Sequence, residues 1–187
     1  MTSSLPDWMS STLAADGAAG AGALPSWIVA LSPEATVCGP ALVVTVGRDD
    51  NSPMKQVPSA VTAPGTVLVV AGAGESRTAV LGDLVAADLI RAGIAAVVTD
   101  GLIRDSRAVA ALGLPVWARG VTPVASRKDG VGSVGGTVVI GGVPVADGDL
   151  VVADADGVVI WPSAHVPAYL EKADAKRQAD DAKAAGG

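Results

Sequence analysis

Three stretches of the chain hold side chains and backbone groups able to do chemistry. They are Gly72-Ala73-Gly74, Gly82-Asp83-Leu84-Val85 and Asp100-Gly101-Leu102-Ile103-Arg104-Asp105. A Gly-x-Gly loop leaving a strand fits a tight turn or the start of a dinucleotide loop. Here Arg77 stands where the third glycine would be, and Asp100 is the one acidic residue at the end of the next strand, so a turn is favoured over nicotinamide binding. Asp83 reads as the start of a helix, where it could be a plain N-cap. The free N–H groups of the same first turn could also receive a carboxylate. Arg104-Asp105 offers a cation for an oxyanion beside an oxygen ligand for Mg²⁺ or Mn²⁺, or else a surface ion pair. Twenty residues separate Asp83 from Arg104. That is one helix plus one strand, enough to return the second motif beside the first. One crevice would then hold helix N–H groups, a guanidinium and two carboxylates.

The composition removes other chemistry. With His165 and Cys38 as the single histidine and cysteine, one chain cannot assemble a His/Cys zinc site or an internal disulfide. His165 lies in Pro162-Ser163-Ala164-His165-Val166-Pro167, which reads as the loop opening a terminal helix, so a surface or capping role is expected. Lys55 and Lys128 fall in polar loops and are expected to be solvated, so no Schiff-base lysine is called for. The formal net charge is −6, from 13 basic and 19 acidic residues, without the basic footprint of a nucleic-acid binder. No apolar run approaches the roughly 18 residues of a membrane span. Residues 1–7 show no basic start followed by an apolar segment. The expectation is a cytoplasmic protein with neither nucleic-acid nor membrane partners.

Positioning such a crevice takes strands and helices in alternation. Residues 41–47 and 66–70 read as buried strands, with a polar loop at 48–53 between them. A helix follows from 79 or 83 to 92, with Gly93 as its C-cap, then a strand at 95–99. Residues 103–112 read as a short helix ending near Gly113, and 114–118 as another strand. The last third changes character. Short strands at 137–140, 143–145, 149–153 and 157–161 are separated by Gly and Asp, and Asp156-Gly157 is a hairpin signal. A charged, Ala-rich helix occupies 166–187, and one short helix is expected near 10–16. The fold class is α/β, a single domain over 1–187 with strand–helix units, then a β-meander, then a C-terminal helix.

At these residues the chain resembles the RraA-like family, which includes 4-hydroxy-4-methyl-2-oxoglutarate / 4-carboxy-4-hydroxy-2-oxoadipate aldolases and the regulator of ribonuclease activity A. Asp83, twenty residues, then Arg104-Asp105 matches the family signature. Thr66-Val67-Leu68-Val69-Val70 with Gly72 and Gly74 is similar to its strand and glycine loop, and Leu114-Pro115-Val116 to its next unit. Gly141-Gly142-Val143-Pro144-Val145 and Gly148-Asp149-Leu150-Val151-Val152 fit its C-terminal part. The resemblance covers about residues 35–162, with 1–35 matching poorly. It implies a swivelling β/β/α fold and a homotrimer or hexamer with sites between subunits. It implies a lyase acting on a small 2-keto acid through a pyruvate enolate, by retro-aldol cleavage or oxaloacetate decarboxylation. Asp105 would ligate Mg²⁺ or Mn²⁺ directly and Asp83 through water, making both catalytic together with Arg104. Arg104 would bind the keto oxygen, and Gly82 with the N–H groups of Leu84 and Val85 the substrate carboxylate. An acidic residue from a neighbour's C-terminal helix would join the site, with Glu171, Asp174 and Asp180 as candidates. The alternative it implies is a non-catalytic binding protein like the ribonuclease regulator. An older label within such chains, menaquinone methyltransferase, finds no methyl-donor loop here.

Overall fold

Val-rich segments become strands here because both of their faces find apolar cover. The computed structural model describes residues 6–186. In chain order its elements are α1 (Ser11–Gly17), β1 (Val29–Ala30), β2 (Val37–Val46), α2 (Val57–Ala60), β3 (Thr66–Ala71), β4 (Ala79–Leu81), α3 (Asp83–Arg91), β5 (Ile94–Thr99) and β6 (Leu102–Ile103). They continue with α4 (Ser106–Ala111), β7 (Val116–Ala118), β8 (Gly120–Val121), β9 (Gly132–Val134), β10 (Thr137–Ile140), β11 (Val143–Ala146), β12 (Leu150–Asp154), β13 (Gly157–Trp161) and α5 (Val166–Ala185). The main sheet runs β1-β7-β5-β3-β2-β12-β13, with β9 also against β2. Its centre, β7-β5-β3-β2, is parallel, and β1, β9, β12 and β13 are antiparallel additions. The segment after α1 nearly closes this sheet into a barrel. The Leu24 N–H donates to the Val158 carbonyl at 2.9 Å, and five residues later Val29 registers with Ala118 on the opposite edge.

Period-two alternation sorts the strand residues into separate cores. Val43, Val67, Val69, Val98, Trp117, Val151 and Ile160 fill the barrel, closed by Val138, Ile140 and Val145 of the β10–β11 hairpin. Their neighbours Val44, Leu68, Val70, Val97 and Val116 face outward onto Ala86 and Leu89 of α3 and Val109 of α4. On β12 and β13, Leu150, Val152, Val159 and Trp161 pack instead against Ala14 of α1 and Ala173 of α5. The two fully buried indoles satisfy their N–H groups on carbonyls, Trp117 on Asp154 at 2.8 Å and Trp161 on Ala14 at 3.1 Å.

The structure corrects several expectations. Of the two helix starts expected, 79 and 83, the structure takes the second, with α3 beginning at Asp83 and Ala79–Leu81 forming a fully buried strand. Leu102–Ile103 is likewise a strand, so the helix expected from 103 begins at Ser106. The C-terminal strands are two separate hairpins, β10–β11 and β12–β13, and not one continuous meander. β12 is buried on both faces and joins β2, whereas β10 alternates exposed and buried residues and serves as a lid. The early helix lies at Ser11–Gly17, with the Ser10 hydroxyl accepting from the Leu13 N–H as its N-cap.

Candidate functional site

A second, three-stranded sheet, β4-β6-β8, builds the crevice. Its strands are parallel, with Ala79 opposite Leu102 and Leu102 opposite Gly120. Parallel neighbours end at the same edge. Gly82-Asp83 leaving β4 and Arg104-Asp105 leaving β6 therefore emerge side by side at carboxyl ends, where α/β sheets place ligands. The Arg104 N–H donates to the Leu81 carbonyl at 3.0 Å, which locks the two exits together.

Gly82 is required by this junction. A Cβ there would stand 2.5 Å from Asp105 Oδ2 and 3.0 Å from Arg104 Nε. The Arg104 guanidinium in turn lies 3.2 Å from Asp105 Oδ2, with both side chains about two-fifths exposed. Asp105 adopts left-handed backbone, φ 53° and ψ 35°, a conformation that costs energy for a residue with a side chain. It occupies the N-cap position of α4, yet its carboxylate makes no capping bond and remains turned to Arg104.

Asp83 is the first residue of α3, and Gly82 holds the N-cap position, so Asp83 is not the cap. Its Oδ1 instead accepts from the Leu84 N–H at 2.8 Å. The first intrahelical bond runs from the Ala86 N–H to the Gly82 carbonyl. The Val85 N–H belongs to the orphan donors of the first turn. The Leu84 N–H would join it only when Asp83 turns away. Gly82, Asp83, Leu84, Val85 and Arg104 thus line one cavity of about 210 Å³. Asp105 lines an adjoining cavity of about 550 Å³ that shares Asp83 and Arg104.

Asn51 and Lys128 line the smaller cavity too, and sequence reasoning missed both. Asn51 is buried and donates through Nδ2 to the Val80 carbonyl at 2.8 Å, while its Oδ1 receives Lys128 Nζ. The lysine expected to be solvated is therefore held at the crevice by an oriented amide. Burial lowers its pKa first, helped by Lys55 and Arg104, while Asp50 opposes the shift. The two partners lie 77 residues apart in polar loops, and no spacing signal could have joined them.

The glycine loop has a different occupant. The N–H groups of Gly72 and Ala73 donate to the Asp100 carboxylate at 3.1 and 2.9 Å. Burial raises the pKa of Asp100 against the pull of those bonds and of Arg119. The loop's donors are spent on the chain's own anion, so it is a packing turn rather than a phosphate cradle. His165 sits in the turn before α5 with its ring 5.4 Å from that of Tyr169, outside the crevice lining. On α5, Asp174 pairs with Arg177 and Asp180 with Lys176; neither they nor Glu171 line this chain's own crevice.

Among the described residues no group of three or more His, Cys, Asp and Glu could hold a metal ion. Two carboxylates in an otherwise open site match a hard cation that keeps most of its waters, as Mg²⁺ does, and do not match zinc. Asp105 and Asp83 are the residues that would hold it.

Residues 7–160 match the family described as RraA-like, Aldolase/RraA. A protein of Halalkalibacterium halodurans with the provisional name 4-hydroxy-4-methyl-2-oxoglutarate aldolase is 42% identical over 84% of this chain and 74% of its own length. Streptomyces coelicolor RraAS2, described as an unusual member of the RNase ES inhibitor RraA family, superposes with a TM-score of 0.84 at 31% identity, covering 96% of this chain and 94% of that one. A Geobacillus kaustophilus structure named as an S-adenosylmethionine:2-dimethylmenaquinone methyltransferase has a TM-score of 0.65 at 38% identity, covering 75% and 85%. Three different activities are thus named on one scaffold.

Proposed function

The chain belongs to the RraA-like family, and from that premise we propose that it is a divalent-metal-dependent lyase cleaving a small 2-keto acid through a pyruvate enolate. The substrates proposed are of the 4-hydroxy-4-methyl-2-oxoglutarate type, oxaloacetate, or both. The carrying observation is the junction at Gly82, which sets Arg104 and Asp105 against the start of α3 with Asp83. The names of the curated relatives support an aldolase-type lyase.

In this scheme the substrate carboxylate sits at the Val85 N–H and, once Asp83 turns away, at that of Leu84. Its keto oxygen faces Arg104. In 4-hydroxy-4-methyl-2-oxoglutarate the C3–C4 bond breaks, its electron pair passes into the enolate, the 4-hydroxyl proton passes to solvent and C4 leaves as the keto carbon of a second pyruvate. In oxaloacetate the same bond breaks and C4 leaves as carbon dioxide. The enolate then takes a proton at C3 to give pyruvate. Arg104 stabilises negative charge that grows as the bond breaks, so its effect falls on the transition state. Mg²⁺ or Mn²⁺ held by Asp105, and by Asp83 through water, would add Lewis-acid stabilisation of the same charge. Lys128 adds a cation on the cavity wall for an anionic substrate.

We also propose a cytoplasmic homotrimer or hexamer. Leu84 and Val121, 75% and 57% exposed on the crevice lining, favour burial against a second copy. A binding role in ribonuclease regulation is the second reading, supported by the RraAS2 likeness. The methyltransferase name gains no support from a glycine loop whose donors are taken by Asp100. The test is pyruvate release from both substrates with and without chelator. Turnover lost on chelation supports the lyase, and its absence together with capture of a ribonuclease supports the regulator.

A further inference from the structure

The larger cavity carries an inference that rests on the lyase reading and narrows its substrate. It joins the smaller cavity through Asp83 and Arg104, and is otherwise lined by Asp105, Ser106, Arg107, Ala108, Val121, Thr122 and Pro123. Arg107 is the one charged group on that wall beyond the trio already assigned. Among the described residues it has no carboxylate within 4.0 Å, whereas most other arginines in the chain are in such pairs. Ser106 and Thr122 add hydroxyls to the same wall.

The two cavities share Asp83 and Arg104, so a molecule whose keto-acid end lies against Leu84, Val85 and Arg104 can continue past Arg104 into this second compartment. There it meets an unpaired, forked cation with hydroxyl neighbours. A guanidinium is suited to a carboxylate, which accepts two of its N–H groups together. The electrostatics agree. The chain as a whole carries −6, yet the two joined cavities bring together Arg104, Arg107 and Lys128 against Asp83 and Asp105. A locally cationic crevice in an acidic protein selects a ligand with more than one negative charge.

We propose that Arg107 is a specificity-determining residue that binds the distal carboxylate of a dicarboxylic 2-keto acid, so that the enzyme discriminates against monocarboxylic analogues of the same length. In 4-hydroxy-4-methyl-2-oxoglutarate the distal C5 carboxylate lies outside the C3–C4 bond that breaks, so for that substrate Arg107 acts on binding and leaves the bond-breaking groups untouched. A charge-assisted hydrogen bond of this kind corresponds to about a tenfold to hundredfold preference.

The experiment has a turnover arm and a binding arm. In the first, wild type and Arg107→Gln are compared on 4-hydroxy-4-methyl-2-oxoglutarate and on 4-hydroxy-2-oxopentanoate, which lacks the second carboxylate. The variant should raise KM about tenfold to a hundredfold for the dicarboxylate, with kcat little changed, and leave the monocarboxylate unaffected. In the second, calorimetry with Mg²⁺ compares 2-oxoglutarate with 2-oxopentanoate as unreactive probes. Wild type should prefer 2-oxoglutarate, and Arg107→Gln should lose that preference. Equal losses on both substrates, or an unchanged preference in both arms, would overturn the role of Arg107 while leaving the lyase standing. Absence of turnover with the binding preference intact and Arg107-dependent would do the reverse.

Discussion

Replacing Gly82 with alanine should separate activity from stability. The backbone at Gly82 is extended, φ −136° and ψ −166°, so alanine adopts it without strain. The cost falls entirely on what the new methyl meets. Asp105 Oδ2 would be 2.5 Å away, where ordinary contact begins at 3.4 Å, so the carboxylate must retreat by about 0.9 Å. Arg104 Cγ and Nε, each 3.0 Å from the methyl, must also give way. These are ends of side chains that are 39% and 41% exposed, so they can move into solvent with little loss of packing. Stability should change by less than about 1 kcal/mol, as for other substitutions away from the core. Activity should not survive so well, because a misplacement of about 1 Å at reacting groups costs on the order of a hundredfold in rate. The assay is pyruvate release with Mg²⁺, run beside thermal unfolding of the same samples. Gly74→Ala is the control, since the nearest atom its new methyl would meet beyond its sequence neighbours, Asp100 Oδ2, lies at 3.5 Å and no atom need move. Gly82→Ala activity within threefold of wild type would refute the reasoning. So would a loss matched by a collapse of the fold.

Asp105→Asn suits the left-handed backbone at φ 53° and removes the charge. It should keep the melting temperature close to wild type, while weakening Mg²⁺ binding measured by calorimetry at least tenfold. Asn51→Leu deprives the Val80 carbonyl of its donor and frees Lys128. It should cost about 1–3 kcal/mol in urea unfolding and raise KM more than it lowers kcat. Asp50, held down to a pKa of about 2 by hydrogen bonds from Ser52 first and then Val131 and Asp129, ties the 50–52 loop to the 129–131 loop. Its folded pKa is depressed, so its stabilisation is fully present above the unfolded value near 4 and is lost as pH falls toward 2. Asp50→Asn should therefore be less stable than wild type at pH 6, with the gap narrowed but not closed at pH 2.5 in denaturant titrations.

Spacing made the heart of the crevice legible. Asp83 and Arg104-Asp105 leave β4 and β6, neighbours in one parallel sheet, and the twenty residues between Asp83 and Arg104, read as one helix plus one strand, hold most of α3, all of β5 and the two-residue β6. The long strands β2, β3 and β5 were legible because continuous β-branched runs have few other uses. The three-stranded sheet was not. β6 and β8 are two residues each, too short for any periodicity, and Ala79-Val80-Leu81 reads equally as a helix start until its pairing with β6 is seen. Asn51 and Lys128 were invisible for a related reason, because their pairing depends on two loops meeting across 77 residues. The glycine loop reads from sequence as a tight turn, but its partner does not: Asp100 reaches the N–H groups of Gly72 and Ala73 from the end of a different strand.

The measurement closest to the central claim is steady-state pyruvate release from 4-hydroxy-4-methyl-2-oxoglutarate and oxaloacetate, by wild type and by Arg104→Lys, with Mg²⁺, with Mn²⁺ and with chelator. A lysine keeps the charge at 104 but loses the planar fork. The account predicts metal-dependent turnover that chelator abolishes and that Arg104→Lys lowers about a hundredfold to a thousandfold. Turnover that persists after chelation, or that Arg104→Lys leaves intact, would contradict it.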